Sequence, residues 1–314
     1  MKSILVTALL LAIALQVCNG EIFSALATLK KALYIEKNLA NHLRSYVSLI
    51  ADADRAQKVS QLATEYDRIA DESLKDPETY LANPINAYML CKRFTTELQA
   101  VQDLLGTPAL QAAFEEQLSL YKHEMPTTED FEGVIDAILR LQDTYEISSG
   151  QFVDGSFSKA SNSPRMTASD CFEIGRYAYE NGDKYHALMW LMESLASLEL
   201  EGDKHSVDTI LLHDYLIYAA DDQGNPRHAL NHAKALLQLS PTSPKTISRI
   251  NNVINWLNKE ILEDNEVLIS QGQPIPSQFA LPPVKNKRLM KRATTQEFKN
   301  YESLCRGEDV VVSD

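Results

Sequence analysis

Cysteine is scarce in this chain: Cys18, Cys91, Cys171 and Cys305 are spread over 314 residues. That excludes a disulfide scaffold and a cysteine-based zinc cluster, so packing of secondary structure must hold the core together. Positive charge is scarce too, with 30 Lys and Arg against 43 Asp and Glu, a formal net charge of −13. Binding to a phosphate backbone has little electrostatic support in such a chain, and nucleic acid is excluded as a partner. No Asn-x-Ser/Thr acceptor occurs, so glycan-dependent quality control is not available to it. No segment holds the ~20 consecutive apolar residues that span a bilayer, and no membrane partner is expected.

The longest apolar run, Ile4 to Leu15 broken only at Thr7, follows Lys2 and leads to Cys18 and Gly20 at the small-residue spacing of a cleavage site. It reads as a signal peptide over residues 1–20. The mature chain then carries three cysteines and enters the secretory pathway.

The next segment steps through Ile22, Leu26, Leu29, Leu33, Ala40, Leu43, Val47 and Ile50, with Glu36 and Asp54 off the pattern. This 3-4 spacing is a heptad seam and predicts a coiled coil, with a phase slip over residues 51–58. Helix persisting over residues 22–74 would be about 80 Å long. Two arrangements fit the stripe, a seam between molecules and the inside of a monomeric bundle. Further helices are expected over residues 85–105, 108–123 and 128–146. The Ser-, Gly- and Asn-rich residues 147–165 read as a linker.

Beyond it lies an internal repeat. Gly182-Asp-Lys-Tyr-His-Ala187-Leu188 recurs 42 residues on as Gly224-Asn-Pro-Arg-His-Ala229-Leu230. Each copy sits between two helical stretches, as in tetratricopeptide units, with Gly175, Ala187, Ala229 and Pro241 at the small-residue positions where paired helices approach closely. A helix over residues 245–264 would cap the stack. Residues 266–314 read as a flexible tail. The fold class is therefore all-α: an N-terminal long-helix or coiled-coil dimerisation module over residues 21–146, then a tetratricopeptide-like repeat domain over residues 166–265.

Five strings in order, KDPETYLANPINAY from Lys75, LRLQDTY from Leu139, DCFEIGRYAY from Asp170, DYLIYA from Asp214 and YESLCRGE from Tyr301, resemble the α subunit of collagen prolyl 4-hydroxylase. The resemblance implies residence in the endoplasmic reticulum lumen, with secretion as the alternative. Because the sequence given ends in VVSD rather than a KDEL-like signal, retention is expected to need a partner. The implied partners are a second α-type chain, met through a seam of Leu26, Leu29, Leu33, Leu43, Val47 and Ile50, and protein disulfide isomerase. It also implies a tyrosine-lined groove in the repeat domain for proline-rich peptides, whose polyproline II shape stacks on flat rings. Asp214, Tyr218, Tyr179 and Lys245 are the candidate peptide-binding residues. Other groove tyrosines of the family fall on Asp221, Asn252 and Asn255, while Lys245 and Arg249 replace its arginine and asparagine. A thinned aromatic platform is expected. The family's cysteine in the LCRGE-like string pairs with one a little downstream; none follows Cys305 in the sequence given, so either a truncated isoform or fragment is expected, or pairing of Cys305 between molecules.

The family's cofactors are Fe2+, 2-oxoglutarate and ascorbate, with iron held by two His and a carboxylate beginning as His-x-Asp. None of the seven histidines, at 42, 123, 186, 205, 213, 228 and 232, is followed two residues on by Asp. No catalytic or metal-ligating residue is therefore assigned, and a non-catalytic chain is expected, or else an incomplete form of an active dioxygenase. A third reading is a secreted helical binding protein unrelated to collagen. His228 and His232 share a helical face, but Ala-Leu-Asn lies between them in place of HExxH, and an ordinary solvated face is expected.

Overall fold

A computed structural model describes residues 26–157, 164–202, 207–239, 244–276 and 296–308. The signal peptide, Ile22 and Pro241 lie outside these. Helices account for the ordered elements, and no strand occurs among the described residues. The chain divides into two compact units, with the division between Ile138 and Leu139.

The first unit opens with α1 (Leu26–Val47) and α2 (Ala53–Ser73), which fold back on one another. The single 80 Å helix is thus corrected: the phase slip marks a chain reversal. Asp52 leaves helical geometry at φ −80°, ψ 115°, and its carboxylate accepts from the Arg55 amide, capping α2. Helices α3 (Pro77–Leu81), α4 (Pro84–Phe94), α5 (Thr96–Leu105) and α6 (Pro108–Ser119) follow. Asp76, Asn83 and Thr107 each cap a helix whose first residue is proline, where no amide is missed.

Of the proposed seam, Leu29, Leu33, Leu43 and Ile50 are buried within the single chain, Val47 is half-buried and Leu26 is exposed. Helix α1 is buried on more than one face, since Ala32, Ile35, Leu39 and Tyr46 also lie inside, Tyr46 edge-on to Phe114 with ring centres 6.0 Å apart. Glu36, which broke the heptad, is fully buried and ion-paired with Arg93 of α4. Burial raises the Glu36 pKa, opposed by the Arg93 charge and hydrogen bond. A charge at a core position is tolerated because its partner is buried with it.

Helix α7 (Thr128–Tyr145) carries the division, and the second unit continues with α8 (Ser149–Val153). The stretch expected as a linker therefore holds a capped helix: Ser148 and Gln151 form a capping box, and Phe152 is fully buried 6.1 Å from Trp190. An aromatic anchor outweighs the Ser and Gly content there. The repeat domain comprises two helix pairs, α9 (Ala168–Glu180) with α10 (Lys184–Glu201) and α11 (Thr209–Asp222) with α12 (Pro226–Gln238). Helix α13 (Pro244–Ser270) packs on α12.

The two repeat loops are built alike. Gly182 and Gly224 take φ of +79° and +74°, a conformation that costs glycine little, and Asp183 and Asn225 then cap the following helix by accepting from the His186 and His228 amides at 3.2 Å. At Gly175 an added Cβ would stand 2.7 Å from the Leu191 side chain, so the close approach of α9 and α10 requires glycine. Ala187 and Ala229 are fully buried at the equivalent crossings. The tail expectation is corrected in part. Helix α13 runs six residues past Asp264, and α14 (Gln296–Cys305) orders the YESLCRGE string, where Arg306 donates to the Thr144 carbonyl at 3.2 Å. Residues 277–295 lie outside the described set.

Candidate peptide-binding groove

Helices α9, α11 and α13 bring the four candidate residues together. Asp214, Tyr218 and Asp221 follow one another at steps of four and three on α11, the spacing of one helical face. On α13, Lys245, Arg249, Asn252, Val253 and Trp256 form the matching stripe. Between them lies a groove of about 560 Å³ lined by Tyr218, Lys245, Ser248, Arg249, Asn252, Val253 and Trp256. Arg249 bonds Asp214 at 2.9 Å, which ties α13 to α11 across one end. That hydrogen bond, aided by the Asp214 charge, holds the Arg249 pKa above its ordinary value.

Tyr179 reaches this face from α9. Its ring is edge-on to Tyr215 at 4.8 Å between centres, and the Lys184 ammonium sits 2.8 Å above it while donating to the Tyr179 carbonyl. Burial raises the Tyr179 pKa, with further contributions from Tyr218, Asp214 and Tyr215. Tyr215 turns its hydroxyl to Glu180 at 3.2 Å and packs against Phe172, so it supports Tyr179 from behind.

Three expectations need correction. Trp256, which is not among the candidate residues, lines the groove at 45% exposure, so the aromatic platform is less thinned than expected. It was legible as the fourth member of the stripe Lys245, Arg249, Asn252. Asn255 does not line the groove and is exposed, because one step along a helix turns a side chain ~100° away. Asp221 faces Glu260 instead: burial first, then the Glu260 charge and hydrogen bond, raise its pKa to about 6.

The histidines of α12 are not on a solvated face either. His232 is 6% exposed, its Nδ1 lying 3.0 Å from Nδ1 of His213 and its Nε2 3.1 Å from Nε2 of His228, whose Nε2 in turn lies 3.3 Å from the Met192 sulfur. Burial lowers the pKa of all three rings, that of His232 to about 3 with the neighbouring histidines adding to the effect. The α12 face is covered because α11 packs along it and Met192 of α10 reaches His228.

Among the described residues no three His, Cys, Asp or Glu side chains gather as a metal cluster. The iron set implied by the resemblance does not fit the residues present, and no step is assigned to iron. No described helix is long and apolar enough to cross a membrane.

Fold and groove define an all-helical chain whose tetratricopeptide-like repeat domain carries an open groove with Tyr218 and Trp256 in its lining. Residues 25–159 match the family model described as prolyl 4-hydroxylase alpha-subunit, N-terminal region, and residues 168–262 match the prolyl 4-hydroxylase peptide-substrate-binding domain. The chain is 30% identical over 288 residues to human prolyl 4-hydroxylase subunit alpha-1, covering 92% of this chain and 52% of that protein. It is 31% identical over 313 residues to Caenorhabditis elegans prolyl 4-hydroxylase subunit alpha-2, covering 98% and 53%. The chain belongs to the prolyl 4-hydroxylase α-subunit family, and it spans about half the length of the curated relatives it matches.

Proposed function

We propose that this chain acts without turnover of its own, as an α-type prolyl 4-hydroxylase subunit of the endoplasmic reticulum lumen that captures proline-rich peptides in the groove between α11 and α13. The observation that carries the reading is the presence of Tyr218 and Trp256 in one open groove, flanked by Lys245 and the Arg249–Asp214 pair. A polyproline II peptide is ordered before it binds, so flat rings capture it at little entropic cost. Assembly with a further α-type chain and with protein disulfide isomerase belongs to the same proposal, supported by the match of residues 25–159 to the family's N-terminal region.

Calorimetric titration of the full chain with a proline-only peptide tests the groove. Tyr218→Ala combined with Trp256→Ala removes two ring contacts of about 0.5–1.5 kcal/mol each beyond area burial. Affinity should fall about five- to a hundredfold, at 1.4 kcal/mol per tenfold. A wild-type chain that binds no such peptide, or a double variant that binds it equally well, overturns the assignment.

A further inference from the structure

The contacts along the histidine chain differ in kind. His213 and His232 have ring centres 5.2 Å apart and nitrogens 3.0 Å apart, a separation that leaves nearly two full ring radii and so aligns the rings head-on, as a straight hydrogen bond requires. His228 and His232 have nitrogens at a similar 3.1 Å, yet their ring centres are only 4.5 Å apart and their planes stand at 85°. Their Nε2 atoms therefore do not face one another along the line that joins the ring centres, as a straight hydrogen bond would require. The Met192 sulfur lies 3.3 Å from one of these nitrogens.

We propose that His228, His232 and Met192 form a binding site for a soft monovalent metal ion, Cu(I), with His213 as the positioning residue that fixes the His232 ring. With bonds of about 2.0 Å to imidazole nitrogen and about 2.3 Å to sulfur, separations of 3.1 Å and 3.3 Å both correspond to angles of roughly 100° at a common ion. Thioether sulfur selects Cu(I) among the first-row ions, and imidazole accepts it. The proposed set contains no anionic donor, and a half-buried site without counter-charge holds a singly charged ion at lower desolvation cost than a doubly charged one. His213 holds Nδ1 of His232 and thereby presents its Nε2, the outer contact that ligating histidines ordinarily make. The three ligands come from α10 and α12, which places the site between the two repeats and apart from the peptide groove residues.

Full-length chain carrying Cys305→Ser, to remove the part-exposed thiol, is titrated anaerobically with Cu(I) against a chromophoric chelator, with X-ray absorption on the loaded protein. One equivalent should be retained, with nitrogen and sulfur neighbours at the metal. Met192→Leu conserves volume and so keeps the fold. It should weaken Cu(I) by about tenfold or more while helical circular dichroism and the weaker Zn(II) affinity stay unchanged. His213→Leu should cost about 10- to 100-fold, and His213→Gln, which can still bond Nδ1, should restore most of it. No retention above the chelator control, equal Cu(I) affinity in Met192→Leu, or tighter Zn(II) than Cu(I) binding overturns the proposal.

Discussion

His186 and His228 occupy the same position of two sequence repeats, three residues after the side chain that caps the second helix of each pair, yet their environments are opposite. The His186 ring is fully buried between two carboxylates, Nδ1 at 2.8 Å from Asp183 and Nε2 at 3.1 Å from Asp143. Burial pulls its pKa down, but the hydrogen bonds and charges of Asp143 and Asp183 outweigh it and the net shift is upward. At His228 the cap is Asn225, which carries no charge, and the ring meets Met192 and His232; burial then lowers its pKa unopposed. The backbone of a repeat is thus copied by its Gly-Asx pattern. The protonation state of the histidine is set by one atom type in the cap and by whichever element packs over it, here α7 in the first repeat and α10 with α11 in the second.

The largest effect that can break this comparison is loss of the ring itself. His186→Leu leaves Asp143 and Asp183 without the ring that both contact, and removing one partner of such a buried ionic contact costs about 3 kcal/mol. His228→Leu leaves no charge behind and should cost less than about 1 kcal/mol, since an apolar chain of similar volume replaces a neutral ring. Urea denaturation midpoints of the two variants measure the difference. Equal losses would show that the carboxylates do not hold a charged ring.

The pH dependence sharpens the same contrast. A base whose folded-state pKa is raised binds more protons folded than unfolded, so the stability contributed by His186 is fully present below about pH 6.5 and is lost as pH rises through its folded-state value. Wild-type chain should therefore exceed His186→Gln in stability at pH 5.5 by more than at pH 9. A gap that stays constant or widens with rising pH would contradict a charged His186.

Much of the architecture was legible before any coordinates. Gly182, Gly224 and the Asx residues after them announced the helix pairs, because few residues other than glycine accept positive φ and few other than Asx cap so well. Tyr218 and Lys245, named from the family resemblance, line one groove, and Asp214 bonds Arg249 at its edge. The rest depended on partners far along the chain. A heptad stripe is the same whether its partner is another molecule or the next helix, so residues Leu29 to Ile50 could not reveal that α2 folds back over them. Glu36 looked like a fault in that stripe until Arg93, 57 residues on, supplied its counter-charge. His228 and His232 looked solvated because nothing local says that α10 and α11 cover them. Trp256 stands in register with Lys245, Arg249 and Asn252, but the resemblance implied tyrosines at the groove and no tryptophan.

The smallest effect tests the side of the second repeat that faces the cap. Asn252 lines the groove beside Tyr218 and Trp256, whereas Asn255 points to solvent. Adding a ring at 252 should supply one further stacking contact, worth about 0.5–1.5 kcal/mol beyond area burial, so Asn252→Tyr should tighten proline-peptide binding by roughly two- to tenfold. Asn255→Tyr places its ring outside the groove and should leave affinity unchanged, although both substitutions add the same side chain to the same exposed helix. Calorimetry on the two single variants separates a located groove from a general gain in surface aromaticity. Equal tightening by both would mean that the peptide does not lie between α11 and α13, and a gain confined to Asn255→Tyr would move the binding face around α13 by about a quarter turn.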